Sequence, residues 1–458
     1  MIAAFSSFSQ SATEKIAGLV RGLAEDDQMK HATLSICVVN SSTGATVFEA
    51  NSTVGLAPAS CQKIFTSIAA FDLLGHDYRF ATTLGYDGSL NEGVLNGNLW
   101  ITGYGDPTTG SWRYDSTKEK LLFNRWIQEI QKAGIRKIKG DIILNNTHFS
   151  FQPTPGGWTW NDMGNYYGAG HWALNWHENQ YDLFMRPGET EGDTVAILRT
   201  EPSLAPVPLV NLLLTGKKGS GDQATIYLPP YGTRGFVEGT VPAGEKEFHV
   251  SGALPNPLQQ WSALLSQYLA PVGLLPAGFV ELNGTNGKTG SRQEPKPFYT
   301  YRSPSLDTIN FYFLKKSVNL YGETLSRTIA YEKNGFGNTD SGLAIIRRYW
   351  EGRGIDKASL HMIDGSGLSP QNRVTTRGMV TALQYATSCA WFPSFYSALP
   401  EYNGMKLKSG TIGGAKSFAG FHRAADGTSY TVAMIVNGFD GSANSIVKKM
   451  FVVLDGLK

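Results

Sequence analysis

The sequence predicts a mixed α/β protein in which a long, mostly β insertion interrupts a framework of helices and strands. An apolar strand and its partner occupy residues 33–50, and a helix follows them. Short β-like segments separated by turn clusters run from about residue 77 to 290. Helical periodicity returns after about residue 295. We therefore interpret the middle of the chain as inserted material.

The first predicted elements are a β-hairpin and a helix. Apolar residues form a strand from Thr33 to Val39, residues 40–44 form a turn, and residues 45–49 alternate as a second strand. The helix is expected to begin at Pro58-Ala59-Ser60 and to end at Gly75. Its buried face is predicted from Ile64, Phe65, Ile68, Ala69, Leu73 and Leu74.

Inside the insertion, the stretch Trp158-Thr159-Trp160-Asn161-Asp162-Met163 is too aromatic for an ordinary linker, and we expect it to pack against another part of the protein.

The elements after the insertion are predicted from the spacing of apolar residues. They are helices marked by Leu306, Ile309, Phe313 and Leu314, by Leu343, Ile345 and Ile346, and by Met379, Leu383 and Ala386, then a strand from Ser429 to Asn437 and a terminal helix from Ala443 to Leu457.

The composition excludes several classes of protein. The chain has 458 residues with 40 basic and 38 acidic side chains, and it lacks the basic runs that bind nucleic acid or anionic membranes. Its three cysteines, Cys37, Cys61 and Cys389, lie too far apart for a metal knuckle or a multi-disulfide framework. No stretch approaches the ~20 consecutive apolar residues that span a bilayer. The opening residues lack a basic lead and a long apolar segment, so we do not expect a signal peptide there.

The first motif with chemical meaning is Ser60-Cys61-Gln62-Lys63. At a helix start this spacing places the hydroxyl and the amine on one face, where the amine can take the proton of the hydroxyl if its pKa is lowered. The alternative is an ordinary N-terminal helix residue with a surface lysine. The same pattern recurs at Ser445-Ile446-Val447-Lys448, where an amphipathic helix with a solvated lysine face is the better interpretation.

The second motif is Ser317-Val318-Asn319. Its hydroxyl could relay a proton to a leaving amine, and its amide could hold a substrate carbonyl. The pattern is common, since Ser89-Leu90-Asn91 and Ser442-Ala443-Asn444 also match it, and a helix cap or turn is the alternative.

The third motif is Lys408-Ser409-Gly410-Thr411. A lysine followed by small residues on a strand edge allows a substrate backbone to lie alongside, with the ammonium placed to hold a terminal carboxylate. A competing copy, Lys288-Thr289-Gly290, precedes the second motif and so stands in the wrong order. That loop is also not a phosphate cradle, because Leu282 occupies the position of the leading glycine.

Taken in this order, the three motifs resemble those of the penicillin-recognising serine enzymes, which comprise DD-peptidases and active-site serine β-lactamases. The long insertion before Ser317, the run Lys316–Leu325 and Asp364-Gly365-Ser366-Gly367-Leu368-Ser369 narrow the resemblance to the class C low-molecular-mass penicillin-binding proteins. These proteins are D-alanyl-D-alanine carboxypeptidases and endopeptidases. The resemblance covers nearly the whole chain.

The resemblance implies a fold and a domain organisation. The fold is a serine β-lactamase/transpeptidase-like α/β domain, with an antiparallel sheet flanked by helices and two inserted, mostly β domains. The implied boundaries are 1–76 and 286–458 for the catalytic domain, 77–98 and 172–285 for the inserted domain, and 99–171 for a second domain nested in that insertion.

The resemblance also implies roles for single residues. Ser60 would be acylated and Lys63 would be its base, while Ser317 and Asn319 would assist proton transfer and binding. The strand residues Ser409 and Gly410 would line the substrate, Lys408 and Thr411 would hold its carboxylate, and the N–H groups of Ser60 and Thr411 would form the oxyanion hole. Asp162 would meet the free amine of the diaminopimelate side chain, although a turn aspartate that caps local backbone is the alternative.

No metal or cofactor is implied. The expected partners are peptidoglycan stem peptides as substrates and β-lactam antibiotics as inhibitors, and the expected location is the periplasm or the outside of the cell. His171 and His177 lack a metal-binding spacing, and nothing in the sequence marks Cys61 as a nucleophile.

Two residues depart from the family pattern. Ser409 stands where many relatives have Thr, and Pro370 stands where relatives often carry an Arg that contacts substrate.

Two alternative functions stay open at this point. One is a β-lactamase or esterase on the same fold, and the other is a non-catalytic scaffold that binds the cell wall.

Overall fold

The computed structural model describes residues 12–204, 207–284 and 295–458, which form two compact units. The first unit consists of three chain segments, which are residues up to 72, residues 310–317 and residues 346–458. The second unit consists of residues 73–309 and 318–345. The Lys288-Thr289-Gly290 copy of the third motif lies outside the described residues. The domain boundaries implied by the resemblance stay a prediction.

The strands are, in chain order, β1 (Thr33–Asn40), β2 (Thr46–Ala50), β3 (Ala81–Tyr86), β4 (Ser89–Asn91), β5 (Val94–Asn96), β6 (Leu99–Gly103), β7 (Lys137–Ile138), β8 (Ile142–Ser150), β9 (Gln180–Arg186), β10 (Ala196–Glu201), β11 (Leu209–Gly216), β12 (Gln223–Tyr227), β13 (Gly235–Pro242), β14 (Phe248–Ala253), β15 (Phe279–Gly284), β16 (Lys296–Arg302), β17 (Leu360–His361), β18 (Arg373–Val374), β19 (Glu401–Tyr402), β20 (Met405–Ile412), β21 (Ala415–Arg423) and β22 (Ser429–Asn437).

The α-helices are α1 (Ala12–Ala24), α2 (Lys63–Leu74), α3 (Glu119–Lys132), α4 (Trp160–Met163), α5 (Pro257–Leu269), α6 (Leu306–Lys315), α7 (Asn319–Asn334), α8 (Thr339–Glu351), α9 (Thr376–Thr387), α10 (Phe392–Ala398) and α11 (Ala443–Leu454). Among the described helices, none combines the length and the apolar character needed to cross a bilayer.

The first unit is built on an antiparallel sheet with the strand order β19-β20-β21-β22-β1-β2. Alternate residues of β1 point to opposite faces, as strand geometry requires. Leu34, Ile36 and Val38 belong to the core that includes residues of α1 and α11. On the other face, Ser35 shares a hydrogen bond of 2.8 Å with Thr376 in α9. The predicted antiparallel sheet flanked by helices is confirmed.

The second unit contains several smaller sheets. The largest has the strand order β15-β8-β6-β3-β16 and mixes parallel with antiparallel pairs, and β10-β9-β14, β11-β13-β12 and β4-β5-β7 form the others. Its core includes a cluster of aromatic rings, in which Trp126 of α3 stacks on Trp261 of α5 with ring centroids 5.2 Å apart. The sequence analysis described this region as mostly β and did not single out α3 and α5.

The segment that contains the first motif folds as two joined helical pieces. A 3-10 turn, Ala59–Gln62, leads directly into α2, which ends at Leu74 before Gly75. The predicted helix is therefore present, and its first turn is tighter than an α-helix. The predicted terminal helix likewise ends as a 3-10 turn at Asp455–Leu457.

Candidate active site

The first motif forms a compact pair. The Lys63 Nζ lies 2.9 Å from the Ser60 Oγ, and both side chains project from the first turn of the helix. Ser60 is half-buried, whereas Lys63 is fully buried and its Nζ lies 5.8 Å from the centre of the Phe313 ring. The Lys63 amine also donates to the Ser366 carbonyl oxygen at 2.7 Å, which fixes it beside the hydroxyl.

The backbone at the nucleophile turn is strained. Ala59, immediately before Ser60, has a φ of 46°, in a region that costs a non-glycine residue of the order of 1 kcal/mol or more. Ser317, in the second motif, has a φ of 59°. Such strain persists only where surrounding contacts hold it, and it is common at functional sites.

The Asp364–Ser369 loop supplies those contacts from one side. A Cβ on Gly367 would lie 2.0 Å from the Ala59 carbonyl oxygen, so only glycine allows the loop to approach the turn this closely. The Asp364 carboxylate accepts hydrogen bonds from the backbone N–H groups of Gly367 and Ser369. It also accepts from the Gln62 side-chain amide at 3.1 Å. The loop is thus wound around a buried carboxylate that anchors it to the first motif.

The third motif approaches the turn from the other side. Lys408–Thr411 lies in β20, which pairs with β21 along this stretch, while β19 pairs only with Met405 and Lys406. The motif therefore lies on a strand that is an edge of the described sheet at this point. A Cβ on Gly410 would lie 2.5 Å from the Pro58 carbonyl oxygen and 2.8 Å from the Ser60 amide nitrogen. The strand and the nucleophile turn are consequently in direct contact.

The charge of the third motif is buried. Lys408 is 1% exposed, and burial lowers its pKa from 10.5 to about 8. Its Nζ donates to the Ser409 carbonyl oxygen at 2.7 Å. The Ser409 hydroxyl bonds to the Tyr402 hydroxyl at 3.1 Å, and Thr411 is exposed.

Cys61 lies between the first and third motifs. Its thiol is fully buried and donates to the Lys408 carbonyl oxygen at 3.1 Å. Burial raises the pKa of this thiol, which opposes formation of a thiolate. Cys61 therefore acts as a packing residue, in agreement with the absence of any sequence context for a cysteine nucleophile.

The second motif is divided between the units. Ser317 ends a short segment of the first unit, and Asn319 begins α7 in the second unit. Within the second unit, the Asn319 side-chain amide donates to the Tyr167 carbonyl oxygen at 2.8 Å. Asn319 is thus held against the segment that follows the tryptophan-rich stretch.

Asp162 lies in the same part of the second unit, on the short helix α4. The Thr159 hydroxyl donates to its carboxylate at 2.7 Å, and burial raises the pKa of the carboxyl group. Trp160 packs on Tyr227, with ring centroids 5.7 Å apart, which fulfils the expectation that this stretch packs against another element. The local bond to Thr159 fits the capping alternative, and the half-buried carboxylate also fits an amine-binding group.

The structure therefore brings together Ser60, Lys63 and the strand Lys408–Thr411 in the first unit, with Ser317 in that unit as well. Sequence reasoning missed two contributors. The first is the carbonyl of Ser366, whose loop was recognised only as a family signature. The second is Lys416, which faces Thr411 across a hairpin. The Gly413-Gly414 pair in the sequence indicates the turn of this hairpin.

Comparisons with known proteins show what this chain is similar to. A family model described as the D-Ala-D-Ala carboxypeptidase 3 (S13) family matches residues 17–456. A D-alanyl-D-alanine carboxypeptidase of Actinomadura sp. (strain R39) is 26% identical over 463 residues, which cover 95% of this chain and 83% of that protein. The D-alanyl-D-alanine carboxypeptidase DacB of Haemophilus influenzae is 25% identical over 87% of this chain and 84% of its own length.

Solved structures show the same fold. The crystal structure of penicillin binding protein 4 (dacB) from Haemophilus influenzae has a TM-score of 0.81 at 22% identity and covers 96% of this chain and 98% of that one. A second structure of that protein, complexed with a novel β-lactam, has a TM-score of 0.75 at 21% identity over the same shares of the two chains.

Proposed function

Because this chain belongs to the D-Ala-D-Ala carboxypeptidase 3 (S13) family, we propose that Ser60 is the residue that its substrates acylate. Family membership makes the protein a serine-type D-Ala-D-Ala carboxypeptidase/endopeptidase that acts on peptidoglycan. The observation that carries the residue assignment is the distance of 2.9 Å between the Ser60 Oγ and the buried Lys63 Nζ. Nucleophile and base within hydrogen-bond reach are what acyl transfer to a hydroxyl requires.

In the acylation step, the Ser60 Oγ attacks the carbonyl carbon of the penultimate D-alanine. The neutral Lys63 amine takes the hydroxyl proton, while the Ser366 carbonyl, 2.7 Å away, holds this amine in place. The C–N bond then breaks, and the departing amine receives a proton from Lys63 through the Ser317 hydroxyl. The products of this step are free D-alanine, or the released end of a cross-link, and an ester on Ser60.

Water completes the reaction. It attacks the ester carbonyl, gives a proton to the Ser60 oxygen through Lys63, and releases the shortened peptide as a carboxylic acid. The backbone N–H groups of Ser60 and Thr411 are proposed to hold the oxyanion in both steps, since the third motif lies directly against the nucleophile turn.

The remaining residues are proposed to bind the peptide. Ser409 and Gly410 lie on the edge strand along which the substrate backbone would extend, with Asn319 holding a substrate carbonyl. Lys408 supplies positive charge to this edge and Thr411 a hydroxyl donor for the terminal carboxylate. Asp162 is proposed to bind the free amine of the stem-peptide side chain.

We also propose that β-lactam antibiotics acylate Ser60, because a β-lactam is bound in a structure of the Haemophilus influenzae protein with the same fold. The family consists of cell-wall DD-peptidases, and the substrate lies in the periplasm or outside the cell. We place the activity of this protein there.

The test is the Ser60→Ala variant. We expect it to lose both labelling by fluorescent penicillin and release of D-alanine from peptides ending in D-Ala-D-Ala, while its circular dichroism spectrum is unchanged. Ser445→Ala is a matched control, because it alters the other Ser-x-x-Lys copy, on α11. Release of D-alanine by the Ser60→Ala variant would contradict the assignment.

The same assay separates a DD-peptidase from a β-lactamase. Labelled penicillin is expected to stay on Ser60 for minutes, whereas a β-lactamase would hydrolyse the ester within seconds. Mass spectrometry of products from purified muropeptides then gives the balance of carboxypeptidase and endopeptidase activity.

A further inference from the structure

A second ammonium group lies at the exposed end of the third motif. Strands β20 and β21 form a hairpin around Gly413 and Gly414, and its register places Lys416 opposite Thr411. The Lys416 Nζ donates to the Thr411 Oγ1 at 2.7 Å. An ammonium group has no lone pair, so the Thr411 oxygen must be the acceptor and its own hydrogen must point elsewhere. Thr411 is exposed, and that hydrogen is available to a ligand.

The surroundings of the Lys416 charge differ from those of several other lysines. Within the part of the chain that the structure describes, no carboxylate forms an ion pair with it, although Lys118, Lys132, Lys406, Lys449 and Lys458 all have acidic partners. Its ammonium lies 4.9 Å from the centre of the Phe418 ring, which restricts the side chain. Partial burial lowers the pKa of Lys416, and this effect outweighs the opposing influence of the Cys61 thiol.

The lysine of the third motif, Lys408, is differently placed. Lys408 is 1% exposed and its Nζ is bonded to the Ser409 carbonyl. Lys416 is half-buried and can still meet a ligand at the strand edge. A substrate carboxylate beside Thr411 therefore has one partly exposed ammonium and one hydroxyl donor within a single hydrogen-bonded pair.

We propose that Lys416 and Thr411 together bind the C-terminal carboxylate of the substrate. Lys416 provides the charge and two further N–H donors, and Thr411 provides its hydroxyl hydrogen. Two donors that converge on one carboxylate give geometric selectivity as well as charge complementarity. This inference rests on the proposed function of Ser60, because it assigns the group next to the bond that Ser60 cleaves.

The alternative role for Lys416 is structural, since its bond to Thr411 also closes the hairpin. The two roles differ in their dependence on the substrate. A carboxylate-binding lysine matters only for a substrate that carries the carboxylate, whereas a hairpin-stabilising lysine affects all substrates alike.

The experiment compares a peptide ending in D-Ala-D-Ala with the same peptide ending in D-alaninamide, using the full-length protein. We expect Lys416→Gln to lower kcat/KM for the acid by about 10- to 100-fold, mainly by raising KM. A loss of this size corresponds to the free energy that a charge-assisted hydrogen bond usually contributes. For the amide we expect a change below about twofold. Lys416→Arg should retain most of the activity on the acid because it keeps a cationic donor.

Lys448→Gln is the matched control, because it removes one exposed positive charge on α11. Its kcat/KM should equal that of the wild type for both the acid and the amide. Equal losses on acid and amide in Lys416→Gln, or no loss on either, would overturn the carboxylate role. If the wild-type protein releases neither D-alanine nor D-alaninamide, the proposed function of Ser60 fails, and the carboxylate role fails with it.

Discussion

The Cys61 thiol donates a hydrogen bond to the Lys408 carbonyl oxygen at 3.1 Å, which joins the nucleophile turn to the strand of the third motif. The two residues are nearly 350 positions apart in the sequence. Ser60 lies next to this contact, so its position depends on how closely β20 packs against the turn. Gly410 sets that approach, because its missing Cβ leaves room for the Pro58 carbonyl and the Ser60 amide.

The first prediction concerns this close approach. Gly410→Ala is expected to reduce penicillin labelling of Ser60 by at least about 100-fold, because the added methyl group must move either the turn or the strand, and small misplacements of a catalytic group are costly. Gly413→Ala in the same hairpin is the control, since a Cβ there meets no atom of the described residues within 4 Å. Similar labelling rates in the two variants would show that the contact is unimportant.

The second prediction concerns Lys408. Its pKa is lowered to about 8 by burial, so the ammonium is present at neutral pH and is lost as the pH rises through that value. We expect the rate of Ser60 acylation to fall above about pH 8, because the positive charge that attracts an anionic substrate disappears.

The control for Lys408 uses its neighbour on the same strand. The Lys408→Gln variant should acylate Ser60 slowly at all pH values, and its rate should not fall further above about pH 8. The Lys406→Gln variant should keep the fall in acylation rate above that pH. Lys406 is partly exposed and has Glu401 as a partner at 3.9 Å. An unchanged alkaline decline in Lys408→Gln would assign it to another group.

The third prediction separates the two interpretations of Asp162. Asp162→Asn keeps an oxygen that accepts the Thr159 hydroxyl bond and removes only the charge. If Asp162 binds the stem-peptide amine, kcat/KM should fall by about tenfold for a substrate with a free side-chain amine and stay unchanged for its N-acetylated form. An equal change in kcat/KM for the free-amine and the N-acetylated substrates would favour the capping role.

The fourth prediction concerns stability. Asp106 in the second unit is 1% exposed, its Oδ1 accepts two bonds from Thr108, and its Oδ2 has no partner among the described residues. Burial raises its pKa to about 6. The folded state therefore holds this proton more tightly than the unfolded state, so the stability contribution is present at low pH and is lost as the pH rises through about 6.

The measurement for Asp106 is urea unfolding from about pH 4 to pH 7. The free energy of unfolding of the wild type should fall relative to that of Asp106→Asn by about 2 kcal/mol over this interval, because the variant has no proton to lose. If the difference in free energy of unfolding between the two proteins were the same at every pH, the pKa of Asp106 would not be raised in the folded state.

Local features of the fold were predictable from the sequence. The strand at Thr33–Asn40 and the strand at Ser429–Asn437 are apolar runs bounded by turn residues, and both were placed correctly. The helix after Ser60 was predicted from its apolar spacing. The pairing of these two strands was not, because nothing within either run specifies a partner so distant in the chain.

The candidate site was predictable in its residue types and not in its geometry. The order of the three motifs predicted Ser60, Lys63 and Lys408 as site residues, since the proposed role of each requires a particular side chain. The positive φ of Ala59 could not be predicted, because alanine rarely adopts that conformation and the residues packed against the turn, Gly367 and Gly410, are distant in the sequence. Lys416 was overlooked because its importance depends on hairpin register, although the Gly-Gly turn would have revealed it.

The pairing of β1 with β22 has a consequence for biosynthesis. These strands are bonded from Thr33 opposite Asn437 to Asn40 opposite Tyr430. A nascent chain that has not yet received its last strand has an apolar β1 without its neighbour, and such exposed edges are prone to aggregation. The sheet therefore cannot form fully until the residues of β22 have been synthesised, and until then β1 lacks one of its two neighbours.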